Sequence, residues 1–412
     1  MTITAEQLGH RLRIARGQIS QDLAAAEIGV PRSAVSLMES GQRQVSTLEL
    51  TRLATLYGRP IEWFVNPNDA EEAADPVQAL FRQEPGLAES TAQIHVGRCV
   101  QLFRDGSSLL RLLGREPVSA LPRHDLPAPR STGSAIDQGQ MVAEQERRRL
   151  DLGNAPIRDL ADLIWSQGVW AATLDLPQDM SGLFLSGRDF GLAVIANGKQ
   201  DFRRCRFSLA HEYGHALMDR DQPAVITQSS NRRDTREQRA NAFAATFLMP
   251  ADGVREFLHG LGKGHGSRRE EAVPDALANE DGVRGELRSP PRSQTITVVD
   301  AALVAEQFGV SYPAALWRLL GLGQISSAER EALQKQTTAA NRYIKTVRST
   351  SEADDAAAAA PPKDADLRWQ ILPLAMEAWR RELITSGRLT EIARYLEFED
   401  TDSILELAEL LS

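Results

Sequence analysis

Four side chains in the 412-residue sequence have the types and spacing for metal-assisted hydrolysis. Between Phe207 and Met218 the chain reads FSLAHEYGHALM, which puts His211 and His215 four residues apart on one helical face, where both imidazoles can reach a single ion. Glu212, between them, offers a carboxylate that can take a proton from an attacking water. Phe207, Leu209, Ala210, Ala216, Leu217 and Met218 predict a buried helix, and Gly214 leaves room beside an ion. The competing interpretation is a core helix with two structural histidines, which leaves the intervening Glu212 unexplained. A further ligand must come from downstream, where residues 236–248, REQRANAFAATFL, predict a second helix. Glu237 lies 22 residues after His215, enough for a loop and an antiparallel return. Two histidines and a glutamate leave a fourth position for water, as catalytic zinc sites do. Asp219 and Asp234 compete for this role but read as solvated loop carboxylates, whereas Glu237 sits on a rigid helix. Asn241, one turn later, is placed to hydrogen-bond a ligand. The set suits one Zn2+ per chain and would also accept Mn2+.

These residues need a frame. Residues 169–174, 182–185 and 191–196 carry strand patterns, and Asn197-Gly198 is a turn signal, so a small antiparallel sheet is predicted just before the metal helix. Its outer strand could hold an extended peptide by backbone pairing. Everything else reads as helix, giving a mostly α chain with a small β-sheet, an α+β class. Residues 4–64 predict five short helices, with Ser20 and Ser46 as N-caps and the segments 21–27 and 31–39 joined through Gly29 as a helix-turn-helix. The division expected is 1–66 for this all-α module, 67–139 for a helical segment and Pro-rich linker, 140–325 for the hydrolytic domain, 326–366 for a second linker, and 367–412 for a helical C-terminal segment. Within the third, the Gly-, Pro- and charge-rich stretch 263–294 reads as a disordered insert.

Composition narrows the functional classes. With 25% charged and 42% hydrophobic residues, no apolar run of about 18 residues and no apolar signal core, the chain reads as cytoplasmic with no membrane partner. Cys99 and Cys205 are its only cysteines, so no disulfide framework is expected. A net charge of -9 argues against coating nucleic acid through overall charge. It leaves room for a local module, because residues 1–66 carry seven Arg against six acids, +1, with -10 on the remainder.

The run SQDLAAAEIGVPRSAVSLMESGQRQVSTLELTRLATLYG resembles the XRE (phage repressor-like) helix-turn-helix family. That likeness implies a double-stranded DNA operator, with Gln21 at the DNA backbone, Arg32, Ser33 and Ser36 facing bases or phosphates, and Arg43 near a phosphate. A homodimer would suit paired half-sites. RFSLAHEYGHALM, EQRANAFAATFLMP and VSYPAALWRLLGLGQI together resemble the ImmA/IrrE family of metallopeptidases over about residues 140–325. The resemblance implies a zincin-like domain with His211, His215 and Glu237 on zinc and Glu212 as general base. It also implies an endopeptidase that cuts an XRE-type repressor. The expected function is a DNA-binding regulator that cleaves such a repressor, or itself, to derepress transcription in a stress or mobile-element response. Two alternatives stay open: a transcription factor whose peptidase-like domain senses a ligand or partner with little proteolysis, and one component of a toxin-antitoxin pair. Donors for the oxyanion are unassigned; Tyr213 points away from Glu212 on the helix, and His259 and His265 read as surface histidines.

Overall fold

The computed structural model describes residues 3–410 except 18, 58, 60, 66–76, 78, 81–91, 116–120, 232, 264–268, 274–282, 288–292, 352–365, 399 and 401. In chain order its N-terminal helices are α1 (Ala5–Arg16), α2 (Gln21–Ile28), α3 (Arg32–Glu39), α4 (Thr47–Leu56) and α5 (Ile61–Val65), followed by the long α6 (Ala92–Leu112), α7 (Thr132–Arg149) and α8 (Leu160–Ser166). Next come β1 (Val169–Leu174), β2 (Met180–Gly187), β3 (Gly191–Asn197), the metal helix α9 (Phe202–Met218), β4 (Ala224–Gln228), α10 (Thr235–Leu248) and α11 (Ala251–Gly260). After the short strands β5 (Arg269–Val273) and β6 (Val283–Leu287) lie α12 (Val298–Gln307), α13 (Tyr312–Gly321), α14 (Ser327–Gln334) and α15 (Thr337–Ser351), then α16 (Leu367–Arg380), α17 (Ser386–Tyr395) and α18 (Asp402–Leu410).

Local chemistry accounts for the first five helices. Thr4 and Gln7 form a capping box on α1, Ser20 caps α2, and Ser46 with Glu49 boxes the start of α4. Gly29 ends α2 at φ 72°, a left-handed turn that costs glycine little, and Pro31 at φ -64° sets α3 off at a new angle. Leu12, Ile19, Val35, Met38, Leu53 and Tyr57 close the core. Within it Glu39 is 4% exposed and accepts from Arg16 Nε at 2.5 Å and from Gln21 Nε2 at 2.9 Å, so its charge is buried but matched.

The chain forms two compact units, one from residues 1–128, 159–240 and 362–412, the other from 129–158 and 241–361. These cut across the linear division the sequence suggested. In the first, the sheet order is β1-β3-β2-β4, and β1 runs parallel to β3 while the other pairings are antiparallel. The sheet is therefore mixed, not antiparallel as expected. After β1 the chain turns back one strand-width away, leaving a slot that β3 fills. Asn197 pins that crossing: its buried amide donates to the carbonyls of Pro177 and Met180 and accepts from Leu176 N. Strand β4 was not anticipated.

Alternation gives the sheet two apolar faces. Trp170, Leu183, Leu185 and Ile195 join a core that continues through Val96, Val100 and Phe103 of α6 to Leu56 and Tyr57 in the N-terminal module and to Ile371, Leu374 and Ile392 of the C-terminal helices. Gln370 Nε2 donates to Ala171 O at 2.9 Å, and Arg388 pairs with Asp105 at 2.7 Å. The C-terminal helices thus dock on α6 and the β1 edge. Helix α9 packs on the other face, against β2 and β3.

In the second unit, α7 starts at Thr132 under a Ser131 cap, inside the stretch read as linker. Arg147 is buried and donates to the carbonyls of Gly153, Ala155 and Phe247, and Arg318 donates to Met249 O. Ser311 caps α13. Where the sequence suggested a disordered insert, β5 and β6 pair antiparallel; the residues between them, the acidic stretch 67–76 and the low-complexity run 352–363 lie outside the described residues.

The Glu39 cluster yields a test. Glu39→Ala leaves the Arg16 guanidinium without its buried counter-charge and should destabilise the chain by on the order of 3 kcal/mol, with Glu39→Gln intermediate. Urea unfolding of the full chain reads this directly, and an unchanged midpoint would show that the pair holds nothing.

Candidate metal centre

Helix α9 starts under an Asp201 cap and is buried along most of its length, including every residue from Ser208 to Met218. The helix packs on β2 and β3, and near its start Cys205 Sγ donates to Asn197 O at 3.1 Å, so the positions of His211 and His215 are set by the fold. Glu237 comes from the first turn of α10. His211 Nε2 and His215 Nε2 are 3.2 Å apart, Glu237 Oε2 is 3.2 Å from the former, and Glu237 Oε1 is 3.5 Å from the latter. A tetrahedral ion with bonds of 2.0–2.2 Å requires donor atoms about 3.3–3.6 Å apart. The three residues are all buried, and their separations fall within or about 0.1 Å short of that range, so a small inward adjustment of bond length would let them share one ion.

The imidazole of His215 is oriented from behind. Its Nδ1 lies 2.8 Å from Asp219 Oδ2, and Asp219 Oδ1 accepts from Arg239 Nη2 at 2.6 Å. This carboxylate-histidine pairing fixes which nitrogen faces the donor cluster. Burial works against charge on His215, but hydrogen bonds to Asp219 and Glu237 prevail and raise it to about 10. Burial likewise pushes Glu237 up, and the two imidazoles more than reverse that, holding it at about 2. Asp219, expected to be solvated, is 3% exposed and carries the supporting role. Asp234 remains at the surface, accepting from Arg236 N at the start of α10.

Glu212 is fully buried, and neither carboxylate oxygen has a hydrogen-bond partner. Burial raises it to about 7, against the lowering pull of His211 and His215. It lies over β2 at Gly182, where a Cβ would fall 2.5 Å from Glu212 Oε1. The strand has a glycine there because the carboxylate occupies the space. Thr227 of β4, paired with Gly182 in register, adds a small lowering influence. A buried carboxylate with two unsatisfied oxygens beside three converging donors is what a proton-accepting group next to a metal requires. The arrangement is a His-His-Glu cluster able to coordinate a metal ion, with a carboxylate beside it.

Gly182, Asp219 and Thr227 were missed by the sequence reading. Only Asp219 had a signal, its place four residues beyond His215. Asn241 falls one turn after Glu237 in the second unit, and its expected hydrogen bond rests on helix position alone. Tyr213 is buried, His259 is exposed, and His265 lies outside the described residues.

On the N-terminal module, Arg32, Ser33 and Ser36 share the exposed face of α3 together with Leu37, which is 42% exposed. Gln21 is engaged with Glu39, and Arg43 pairs with Glu49 at 2.8 Å. Three of the five expected DNA contacts thus share one exposed face, where Arg32 lies 3.7 Å from Asp22, and the other two are held in intramolecular bonds.

Residues 166–281 match the family described as IrrE N-terminal-like domain, a peptidase family, and residues 3–64 match the helix-turn-helix family. No curated protein matches the chain. The chain joins an IrrE-like peptidase domain to an N-terminal DNA-binding helix-turn-helix domain of XRE type, and among the described residues no helix is long and apolar enough to cross a membrane.

Two measurements test the donor set. Because His215 holds its proton up to about pH 10, metal binding must displace it. Affinity should then fall as pH falls from that value, with about one proton released per ion near neutral pH in calorimetry across buffers. Asp219→Asn should weaken zinc binding about 10–100-fold, and an unchanged affinity would show that Asp219 does not orient His215.

Proposed function

We propose that this protein is a DNA-bound, cytoplasmic regulator whose peptidase domain is a zinc endopeptidase that cuts an XRE-type repressor, or itself, to relieve transcription. The observation that carries this reading is Glu212, buried without a hydrogen-bond partner beside the His211, His215 and Glu237 donors. The donor set suits Zn2+ and accepts Mn2+, with one ion per chain. Zinc bound there would activate water at neutral pH and polarise the scissile carbonyl. Glu212 takes the proton of the attacking water on a carboxylate oxygen as the new C–O bond forms, and returns it to the leaving nitrogen as the C–N bond breaks. Its elevated pKa, about 7, suits both halves of that exchange. Asp219 and Arg239 hold His215 in place throughout. Asn241, as a further support for the ligands, belongs to the same proposal.

At the other end, Arg32, Ser33 and Ser36 would meet bases or phosphates, and Leu37 offers an apolar contact for a thymine methyl. Gln21 would act on DNA through the turn it helps to brace, and Arg43 would reach a phosphate by exchanging its Glu49 partner. Paired half-sites would call for a homodimer.

A second reading has one observation in its favour: the DNA-binding module shares a continuous core with the peptidase sheet through α6. In that reading the peptidase fold senses a metal, ligand or partner and passes the signal to DNA with little cutting. Glu212→Gln separates the two. It should retain zinc and operator binding and lose cleavage of XRE-type proteins encoded beside the gene, by at least about 100-fold. Wild type and variant that both leave every such protein intact, while regulating a promoter equally, would remove the protease. Arg32→Ala with Ser36→Ala should weaken operator binding at least about tenfold without touching cleavage. Unchanged DNA affinity would take α3 out of the groove.

A further inference from the structure

Beyond the donor cluster, the first unit contains a cavity of about 400 Å3 on the far side of His215. Its walls are the extended segment 123–128, the end of the metal helix from Met218 to Asp221, and Arg236 and Arg239 of α10. The extended segment is pinned: His124 N donates to Leu217 O at 3.1 Å, and Arg220 Nη2 donates to Leu121 O at 3.0 Å and Pro122 O at 2.9 Å. The space is therefore framed by backbone hydrogen bonds, and its volume falls in the range of about 300–1,000 Å3 typical of small-molecule sites.

Four guanidinium groups line it against three carboxylates. Arg123 is paired with Asp125 at 2.8 Å and Arg239 with Asp219 at 2.6 Å. Asp221 is exposed and accepts from Gln222 Nε2. The Arg236 guanidinium makes no ion pair within 4 Å among the described residues, although its charge also acts on Asp219; the four guanidinium groups outnumber the three carboxylates by one. Leu126, Pro127, Ala128 and Met218 supply the apolar part of the lining. Excess guanidinium beside a short apolar surface matches a carboxylate on a small hydrocarbon body; a bare inorganic anion would leave that surface unused. The floor is Asp219, whose other oxygen faces His215 Nδ1.

We propose that this cavity is an effector site for a small organic acid, and that its occupancy is linked to metal binding at His211, His215 and Glu237. A bound carboxylate adds negative charge beside a cation site, so each ligand strengthens the other, and the linkage is reciprocal. The site gives the regulator an input separate from its substrate cleft.

The test uses the full chain, zinc-loaded and zinc-stripped, titrated calorimetrically with hexanoate, acetate, hexanol and inorganic phosphate. Hexanoate should bind saturably at one site, at least about tenfold tighter than each of the other three, because only it satisfies both parts of the lining. Arg236→Gln, at an exposed position, should weaken hexanoate about tenfold in both the zinc-loaded and the zinc-stripped chain. Zinc should tighten hexanoate about fivefold. Absence of saturation, equal binding of hexanol, or indifference to Arg236→Gln would overturn the site. Identical hexanoate affinity with and without zinc would overturn the linkage. These readouts measure binding alone, so their failure leaves the protease reading standing, and a failed protease leaves them interpretable.

Discussion

Four ionisable side chains, Glu212, His211, His215 and Glu237, are withdrawn from water in one place, and the surrounding structure answers that electrostatic problem. An isolated buried charge of either sign is costly, and removing one member of a matched set leaves the others worse off. The solution is layered. Glu237 faces both imidazoles, Asp219 faces the back of one, and Arg239 faces Asp219. Each of these charges is hydrogen-bonded to an opposite one except Glu212, which lies over Gly182 and feels the imidazoles only at longer range. The one carboxylate left without a hydrogen bond is the one whose job would be to accept a proton. Stability is given up at the atom where chemistry would happen, a common bargain at active sites.

That arrangement explains why the sheet is built as it is. Helix α9 needs a flat apolar face beneath it, and the faces of β2 and β3 supply one, with the glycine at the point where the carboxylate descends. The opposite face is equally apolar and must also be covered. Helix α6 and the C-terminal helices do this, and α6 carries the DNA-binding module on its other side. Covering the back of the sheet that carries the His-His-Glu cluster and mounting the DNA-binding module are thus one structural act.

Much of this was readable from residue order. The caps at Ser20 and Ser46, the Gly29 turn and the His211 to His215 spacing are local signals, and local signals survive in sequence. Glu237 was legible because a helix presents its faces at a fixed period. What failed was non-local. The pattern of β1 and β3 shows two strands but not that they run side by side in the same direction. Strand β4, the five residues AVITQ, is too short to announce itself without its partner β2. Asp219 was misjudged because a carboxylate just past a helix end usually meets solvent; Arg239, brought in from α10, together with His215 one turn back makes it a buried support. Likewise Leu367 to Leu410 showed apolar helices with no stated destination, since the matching surface on α6 lies more than 250 residues earlier.

That last distance has a bearing on how the molecule is made. During synthesis the helix-turn-helix emerges first and α6 soon after, but the apolar surface that α6 turns toward Ile371 and Leu374 has no cover until α16 has left the ribosome. Contacts of such sequence separation close slowly and leave hydrophobic surface open in the interval. The nascent DNA reader therefore waits on a half-covered support through the translation of the peptidase. A chain that stops early in the last 50 or so residues would retain every metal donor and every base-facing side chain, yet lack the piece that seals them into one body. The C-terminal helices are thus the last of the described elements to join that shared core.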